Sequence, residues 1–322
     1  MGARTRFALM VLGLCLIVLF FQDHSSATIA HADTPGVCQL AYGETPQEIP
    51  DWLQPLESTE ALHTHNDYNL LAAALLMHGL VDGSACPAWG LNADGSANGC
   101  GLEISREGVH AWQNQYDEMI LSASQSYELP PKVIKAVIAV ESQFWLAADW
   151  VRGEIGLAQL TVWGADMTLR WNEGTYQRIC RQTLEDEHCL IAYVYQDGYT
   201  QSLLQGALLS EVDATCPYCT GGVNVNKGEQ AIMGLAESLQ ASCRQTRFLI
   251  QKRTTKEPAQ VMSYEDFWRL VLVNYHAGSG CVSQMLQKSG SLDNWRSISL
   301  VFPGECVSGA TYIRRIEEQL IP

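Results

Sequence analysis

The predicted fold depends on one stretch, Pro130-Pro131-Lys132-Val133-Ile134-Lys135-Ala136-Val137-Ile138-Ala139-Val140-Glu141-Ser142-Gln143, which has the pattern of a helix that ends at a glutamate. At 3.6 residues per turn, Glu141 falls on the same apolar face as Val137 and Ile138. Pro131 suits the first turn of a helix, where its missing N–H is no loss. A carboxylic acid held among apolar side chains favours its protonated form, so Glu141 is a candidate proton donor. Its alternative role is to close the helix by hydrogen-bonding its neighbours.

Two later segments combine glycines with polar side chains. The first is Gly153-Glu154-Ile155-Gly156-Leu157-Ala158-Gln159-Leu160-Thr161, and the second is Asn274-Tyr275-His276-Ala277-Gly278-Ser279-Gly280. Glycine lets a backbone approach a ligand closely, and a glutamine amide can then hydrogen-bond that ligand. Both segments are therefore candidate ligand-binding loops.

Taken in order, these segments resemble the catalytic domain of the soluble lytic transglycosylases, which has a lysozyme-like fold. That family has a Glu-Ser pair at the end of a helix, a Gly-x-x-Gly-Leu-Met-Gln loop, an Ala-Tyr-Asn-Ala-Gly segment and a Tyr-Val pair that opens its last helix. The corresponding residues here are Glu141-Ser142, Gly153 to Gln159, Asn274 to Gly278, and Tyr312-Ile313. The resemblance covers roughly Trp112 to Leu320.

The chain departs from the family pattern at three positions. Ala158 replaces a methionine, Glu154 occupies a usually small position, and His276 stands where asparagine is expected. About 115 residues separate Gln159 from Tyr275, which predicts an insertion at about residues 172–228. None of these changes removes the acid, so they bear on substrate preference more than on activity.

The resemblance implies a role for each matching residue. Glu141 would be the acid and base that cleaves the β-1,4 bond between N-acetylmuramic acid and N-acetylglucosamine in peptidoglycan, forming a 1,6-anhydro product. Ser142 would hold the catalytic end of the helix, Gln159 and Tyr275 would bind and orient the sugar, and Tyr312 would line the cleft. The implied partner is the peptidoglycan glycan strand, and no metal or organic cofactor is implied.

Two other interpretations remain open at this point. Glycoside cleavage usually divides its work between two carboxylates, and a lysozyme-like hydrolase of peptidoglycan or chitin would need Glu154 or Asp166 to position a water molecule. A non-catalytic wall-binding protein of the same fold would need neither, although a pure binder gains nothing from an acid on an apolar face.

Residues 153–161 are called the glutamine loop below. Four aromatic residues lie near the acid and this loop in sequence, and aromatic faces can stack on sugar rings. They are Phe144, Trp145, Trp150 and Trp163. Most aromatic side chains pack in a core, so we expect only one or two of these to contact a sugar.

The N-terminus has the pattern of an export signal. Basic residues precede an apolar run at residues 7–21, and Ala30-His31-Ala32 supplies a small-x-small cleavage site, so residues 1–32 are predicted to be a signal peptide. The run is shorter than the roughly 20 residues of a membrane span. A retained anchor is the alternative. After cleavage we expect no integral membrane domain and a location outside the cell, in the wall or in the periplasm.

The cysteine count supports export. The chain has eleven cysteines, and removal of Cys15 with the signal leaves ten, an even number that predicts disulfides outside the cytosol. The favoured near-neighbour pairs are Cys180 with Cys189 and Cys281 with Cys306. Cys216 and Cys219 have the spacing of a redox or zinc pair, but no helix follows to activate a thiol, so a structural disulfide is favoured.

The charge excludes some partners. The chain has 20 basic and 35 acidic residues, and loss of Arg4, Arg6 and Asp23 leaves 18 and 34, or a net charge near −16. A protein this acidic is not expected to bind nucleic acid or to be drawn generally to anionic surfaces. We expect a monomer whose wall binding comes from sugar contacts in a cleft.

The predicted organisation is a mostly α-helical chain. An N-terminal extension at residues 33–108 precedes a lysozyme-like domain at residues 109–322 that carries a disulfide-rich insertion. Within the extension, residues 70–77 are a helix candidate, and residues 92–98 favour a turn over a calcium loop. His63 and His65 lack a third ligand nearby, so an ordinary polar segment is favoured over a metal site.

Overall fold

The structure is a computed structural model that describes residues 36–149 and 151–320, so the predicted signal peptide and Trp150 lie outside the described ranges. These ranges are mostly helical and contain no extended strand, which agrees with the predicted class. The α-helices are α1 Val37–Tyr42, α2 Asn69–Met77, α3 Gly99–Asn114, α4 Asp117–Tyr127, α5 Pro131–Glu141, α6 Val162–Trp171, α7 Glu173–Thr183, α8 Gly198–Val212, α9 Gly228–Thr254, α10 Tyr264–Lys288, α11 Trp295–Ser299 and α12 Val307–Leu320.

Short 3₁₀ helices connect many of these elements. They span Asp51–Leu53, Thr59–Leu62, Pro87–Gly90, His188–Leu190, Tyr193–Tyr195, Thr220–Gly222, Val225–Lys227, Pro258–Gln260 and Gly304–Cys306.

Helix α5 begins at Pro131 and ends at Glu141, as the sequence predicts. Its side chains are buried nearly all round rather than along one face. Even Lys135 is buried, and its Nζ lies 2.6 Å from a carboxylate oxygen of Asp117 at the start of α4. A helix covered on every side is held rigidly, because its neighbours leave its side chains little freedom. The residue that ends it is therefore held firmly in position.

Helix α9 is the centre of the fold. It is 27 residues long and packs against α1, α4, α6 and α10. Its buried positions include Ile232, Leu235 and Leu239, which belong to the main hydrophobic core together with residues of α5, α10 and α12. The main core therefore joins the helix that carries Glu141 to the helices that carry Tyr275 and Tyr312.

A second, smaller core lies under α6, α7 and α8. It is formed by residues between Ile155 and Val212, including Leu169, Tyr176 and Leu204. The glutamine loop contributes to both cores, since Ile155 and Leu160 belong to the smaller one and Leu157 and Ala158 to the main one. The loop is thus fixed from both sides.

In the part of the chain that the structure describes, ten cysteines are paired in five disulfides. The two favoured pairs, Cys180–Cys189 and Cys281–Cys306, are confirmed. Cys216 and Cys219 also form a disulfide, as expected. The remaining bonds are Cys38–Cys243, which ties α1 to α9 across 205 residues of sequence, and Cys86–Cys100. A cross-link of this kind typically stabilises a fold by about 2–4 kcal/mol, mainly by restricting the unfolded chain.

Helix α10 bends at a glycine. Gly278 has φ +80° and ψ 167°, a backbone conformation that is nearly exclusive to glycine. The bend falls directly after Tyr275, His276 and Ala277, so these residues form the last turn of the first half of α10. Within the described ranges, no helix is both long and apolar enough to cross a membrane.

Candidate active site

Glu141 is the last residue of α5, and its side chain is 15% exposed. Among the described residues, the ionisable side chain within salt-bridge distance of this carboxylate is His276, whose Nδ1 lies 3.7 Å from Oε1 of the glutamate. Among residues 36–149 and 151–320, no lysine or arginine lies within salt-bridge distance of this carboxylate. The site therefore holds a mostly buried acid without a permanent positive partner, which is the arrangement expected of a group that must gain and lose a proton.

The end of α5 is held by two side chains. Ser142, which is buried, donates from Oγ to the carbonyl oxygen of Ile138 at 3.2 Å. Arg315 in α12 donates from Nη2 to the carbonyl oxygen of Val140 at 2.9 Å. The Arg315 bond satisfies a carbonyl that the helix end leaves without a backbone partner, whereas the Ile138 carbonyl also accepts from the Ser142 N–H at 3.0 Å. The two side-chain bonds also limit the movement of Glu141, which lies between the residues that they hold.

The backbone after the acid adopts an uncommon conformation. Gln143 and Phe144 have φ +48° and +67°, in the left-handed region that non-glycine residues seldom occupy. Packing and hydrogen bonds hold them there. The Leu70 N–H donates to Oε1 of Gln143 at 2.8 Å, and Nε1 of Trp112 donates to the Phe144 carbonyl at 2.9 Å. Such backbone conformations persist where the surroundings fix them, and they concentrate at functional sites.

The glutamine loop is a tight turn. The backbone N–H groups of Ile155 and Leu160 each donate to the other residue's carbonyl, at 3.0 and 2.9 Å. Gly156 has φ +70°, and a Cβ there would lie 2.7 Å from the Val212 carbonyl oxygen, so only glycine fits. Gln159 is partly buried and donates from Nε2 to the Gly156 carbonyl at 2.7 Å. Its amide keeps a second N–H and its oxygen for a ligand.

Helices α10 and α12 bring three aromatic rings to the acid. Tyr275 donates from its hydroxyl to the Ala158 carbonyl at 2.7 Å, which links α10 to the glutamine loop. The rings of His276 and Tyr312 are stacked, with centroids 4.1 Å apart and an interplanar angle of 8°. Tyr312 lies in the second turn of α12, which begins at Val307, rather than at the opening of the helix.

The pKa values of Tyr275 and Tyr312 are raised by their surroundings at this site. Burial first, and then the negative charge of Glu141, raise the pKa of Tyr312 and of Tyr275 well above the usual value of 10.0. Both phenols therefore stay protonated through neutral pH. The buried Tyr312 hydroxyl has no hydrogen bond of standard geometry, so it remains a donor available at the carboxylate.

The second carboxylates suggested by sequence have other partners. Asp166 accepts from the hydroxyl of Tyr193 at 2.8 Å and pairs with Arg170 at 3.3 Å, at the surface of the smaller core. Glu154 lies 3.7 Å from the guanidinium of Arg152. Each of these carboxylates therefore has an arginine within 4.0 Å, whereas Glu141 has none.

The aromatic residues near the acid divide into packed and exposed ones. Phe144 is fully buried, and Trp145 is partly buried and stacks on Trp112 with centroids 5.3 Å apart. Trp163, in the first turn of α6 directly after the glutamine loop, is 83% exposed. Of the described aromatics considered for sugar contact, Trp163 presents the most free surface.

Two residues at this site were not assigned a role from sequence. In the sequence, His276 stands out as a departure from the asparagine of the family. Its place beside Tyr275 indicates that it lies near the site. Arg315 follows Tyr312 by three residues, a spacing that puts both side chains on the same side of α12. That spacing was the available signal.

The described ranges contain no group of three or more His, Cys, Asp or Glu side chains placed to hold a metal ion. A scan against models of known families, a search of curated proteins and a search of solved structures all found no match to this chain.

Proposed function

We propose that this protein is a lytic transglycosylase of peptidoglycan with a lysozyme-like catalytic domain, in which Glu141 is the acid and base. The observation that carries the proposal is the grouping of three segments, distant from one another along the chain, around the carboxylate that the fourth segment carries. Tyr275 bonds the glutamine loop at 2.7 Å, His276 lies 3.7 Å from Glu141, and Tyr312 stacks on His276 at 4.1 Å.

The proposed reaction uses the carboxyl group twice. Protonated Glu141 first donates its proton to the glycosidic oxygen, and the bond from that oxygen to the anomeric carbon of muramic acid breaks. The carboxylate then removes the proton of the sugar's own C6 hydroxyl, whose oxygen attacks the anomeric carbon. A 1,6-anhydro ring closes without water. The Gln159 amide would hold the sugar by hydrogen bonds during both steps, while Tyr275 would keep the glutamine loop in place through its bond to the Ala158 carbonyl and Tyr312 would donate to the carboxylate.

The intramolecular nucleophile explains why one carboxylate is enough. A C6 hydroxyl is held next to the anomeric carbon at an effective concentration that bulk water does not reach. A hydrolase would need a second carboxylate to activate water. The engagement of Asp166 with Tyr193 and Arg170 makes it a poor choice for that role. In a purely wall-binding protein, the burial of Glu141 would cost free energy and serve no function.

The proposed location is outside the cytosol. Five disulfides in one chain form and persist in an oxidising compartment. The peptidoglycan substrate lies in the same compartment, so location and activity agree.

The experiment that tests the function is digestion of purified peptidoglycan with the mature protein, followed by mass analysis of the released sugars. Anhydro products support the transglycosylase, reducing products support a hydrolase, and no release over long incubation supports a binding protein.

A further inference from the structure

His276 lies beside the proposed acid, and the proposed reaction gives it no role. Its Nδ1 is 3.7 Å from Oε1 of Glu141, and its side chain is 30% exposed, so protons from solvent can reach the ring. This distance is longer than a hydrogen bond but short enough for an electrostatic interaction between the charged forms of the two groups. The family pattern has an asparagine at this position, which does not titrate. The histidine therefore adds a second proton-binding group next to the carboxylate.

The stack with Tyr312 holds the imidazole in place. The ring centroids are 4.1 Å apart, the interplanar angle is 8°, and Tyr312 is buried. Burial and then the charge of Glu141 raise the pKa of Tyr312 and of Tyr275 well above 10.0, so neither phenol takes a charge near neutral pH. A neutral phenol face attracts a cation, so the stack also suits the charged form of His276. The ring is thus held next to Glu141 in either protonation state.

Two helix ends meet at this pair of side chains. Glu141 is the last residue of α5, and the regular helical backbone of the first half of α10 ends at the Gly278 bend, just after His276. A helix C-terminus carries a partial negative charge, which disfavours a carboxylate and favours a histidine cation. Both helix ends therefore favour a proton bound by the pair. Because the two groups interact, one proton is shared between the carboxyl group and the ring.

The elements that pack against α10 determine which other charges act on the imidazole. Helix α12 adds the cation Arg315, which acts on the Tyr312 phenol and opposes a further positive charge on the ring. Helix α9 contacts the neighbouring Asn274 with a neutral carbonyl and a hydroxyl group. Helix α11 contacts α10 near its start, at Asp266, and Glu305 bonds a glutamine beyond the bend. In the described part of the chain, the carboxylate within 4.0 Å of the ring is that of the proposed acid.

We propose that His276 competes with Glu141 for the catalytic proton and so restrains activity under acidic conditions; the inference rests on the proposed function. A proton on Glu141 can be donated to the glycosidic oxygen, whereas a proton on His276 leaves a carboxylate that cannot donate. Histidine rings titrate between about pH 5 and 8, and a charged ring at 3.7 Å stabilises the carboxylate form of Glu141. At higher pH the ring is neutral and the restraint ends. His276 is thus a positioning residue that acts through Glu141.

The first test measures kcat/KM on purified peptidoglycan from about pH 5 to pH 8. We expect H276N to match the wild type at the alkaline end and to exceed it about fivefold near the middle of the acidic half, as for loss of a competing proton site with about tenfold coupling. H276F keeps a ring that can stack on Tyr312 and should show the same relative rise towards acid. H276K carries a charge throughout and should be about tenfold less active than H276N at the alkaline end.

The control for this test is H188N, which changes an exposed histidine of the 3₁₀ helix His188–Leu190 and should follow the wild type at every pH. Ratios of variant to wild type at one pH cancel any titration of the substrate. A ratio of H276N to wild type that does not change with pH would overturn the inference. So would an H276K enzyme that is folded and as active as H276N at the alkaline end.

The second test needs no activity. The ring signals of labelled histidines are followed by NMR against pH in the wild type and in E141Q. We expect the His276 signals to change at a lower pH in E141Q, because an amide does not stabilise the imidazolium, while the His188 signals change at the same pH in both proteins. Equal behaviour of His276 in the two proteins would contradict the competition. If the wild type releases no sugar at any pH, the proposed function fails, and these signals alone decide whether the two groups share a proton.

Discussion

Two glutamates of this protein with mostly covered side chains have opposite surroundings. Glu141 at the end of α5 and Glu237 in α9 have side chains that are 15% and 5% exposed. Glu237 is held by Arg178, with a shortest N–O distance of 2.8 Å, and it accepts a hydrogen bond from Tyr127 at 3.3 Å. Among residues 36–149 and 151–320, the salt-bridge contact of Glu141 is the His276 imidazole at 3.7 Å. One glutamate belongs to a permanent ion pair, and the other does not.

The difference shows that burial alone does not mark a catalytic acid. A carboxylate fixed against an arginine stabilises a helix junction and has no freedom to exchange its proton with a substrate. A carboxylate beside neutral phenols and an imidazole can do so. The surroundings therefore assign a structural role to Glu237 and support the proposed chemical role of Glu141.

The largest expected effect comes from the matched isosteric variants of these two residues. E141Q keeps the shape of the side chain but removes the transferable proton, so activity on peptidoglycan should fall by about 10²–10⁴-fold. Its melting temperature should hold or rise. E237Q should retain activity within a few-fold, because Arg178 still pairs with Glu211. If E141Q stays as active as E237Q, Glu141 is not the acid.

Removal of Arg178 should lower stability and leave activity unchanged, which is the opposite of the effect expected for E141Q. R178M leaves Glu237 and Glu211 without their cation, and we expect it to lower the free energy of unfolding by about 3 kcal/mol. Turnover per folded molecule should be unchanged. Urea unfolding and a wall-digestion assay on the same sample measure both quantities.

The instability of R178M should depend on pH. Burial raises the pKa of Glu237 above 4.5, although the charge of Arg178 opposes the change. Stabilisation from a raised pKa is complete below the unfolded value and is lost as the pH rises through the native value. Without Arg178 the native pKa rises further, so the deficit of R178M should shrink as the pH is lowered from 7 towards 5. The double variant R178M/E237Q should show a smaller deficit and less pH dependence.

An intermediate effect is expected at the exposed tryptophan. W163A removes a large aromatic face directly after the glutamine loop, and KM for wall strands should rise roughly tenfold. Stability should change by less than about 0.5 kcal/mol, because the side chain is largely exposed. Y199A, which removes another exposed ring from α8, is the control and should bind normally. Equal KM values for W163A and Y199A would remove Trp163 from the proposed cleft.

The smallest effect concerns the bond that ties α10 to the glutamine loop. Y275F removes the hydroxyl that donates to the Ala158 carbonyl, and stability should fall by about 1 kcal/mol. The loop would then be less well fixed, so kcat should fall a few-fold. Y195F, at an exposed ring of the smaller core's surface, is the matched control. Identical melting temperatures for the two variants would mean that the hydrogen bond contributes nothing.

Local features of the molecule were predictable from sequence. The bounds of α5 follow from a proline at its first turn and an apolar pattern that ends at Glu141. The disulfides Cys180–Cys189 and Cys281–Cys306 join near neighbours, which is why their pairing could be predicted. Cys38–Cys243 could not, because the contact of α1 with α9 depends on how distant helices pack.

Long-range features of the site also required the structure. The sequence marks Tyr275 and Tyr312 by their resemblance to a family, but the stacking of His276 on Tyr312 depends on how α12 packs against α10. An amphipathic pattern predicts that Lys135 is exposed. The side chain is buried instead, because the N-terminal extension covers it and the Asp117 carboxylate pairs with its positive charge. Periodicity within one helix carries no information about either.

The most direct test of the central claim is the mass of the sugar ends released from purified peptidoglycan, measured before and after borohydride treatment. If Glu141 works as the single carboxylate, the muramic acid C6 hydroxyl is the nucleophile and the products end in 1,6-anhydro-muramic acid. Such ends are about 20 mass units lighter than reduced ends, by loss of water and absence of added hydrogen, and borohydride leaves them unchanged. A digest of reducing ends that borohydride converts to muramitol would contradict the account and assign water activation to a second group.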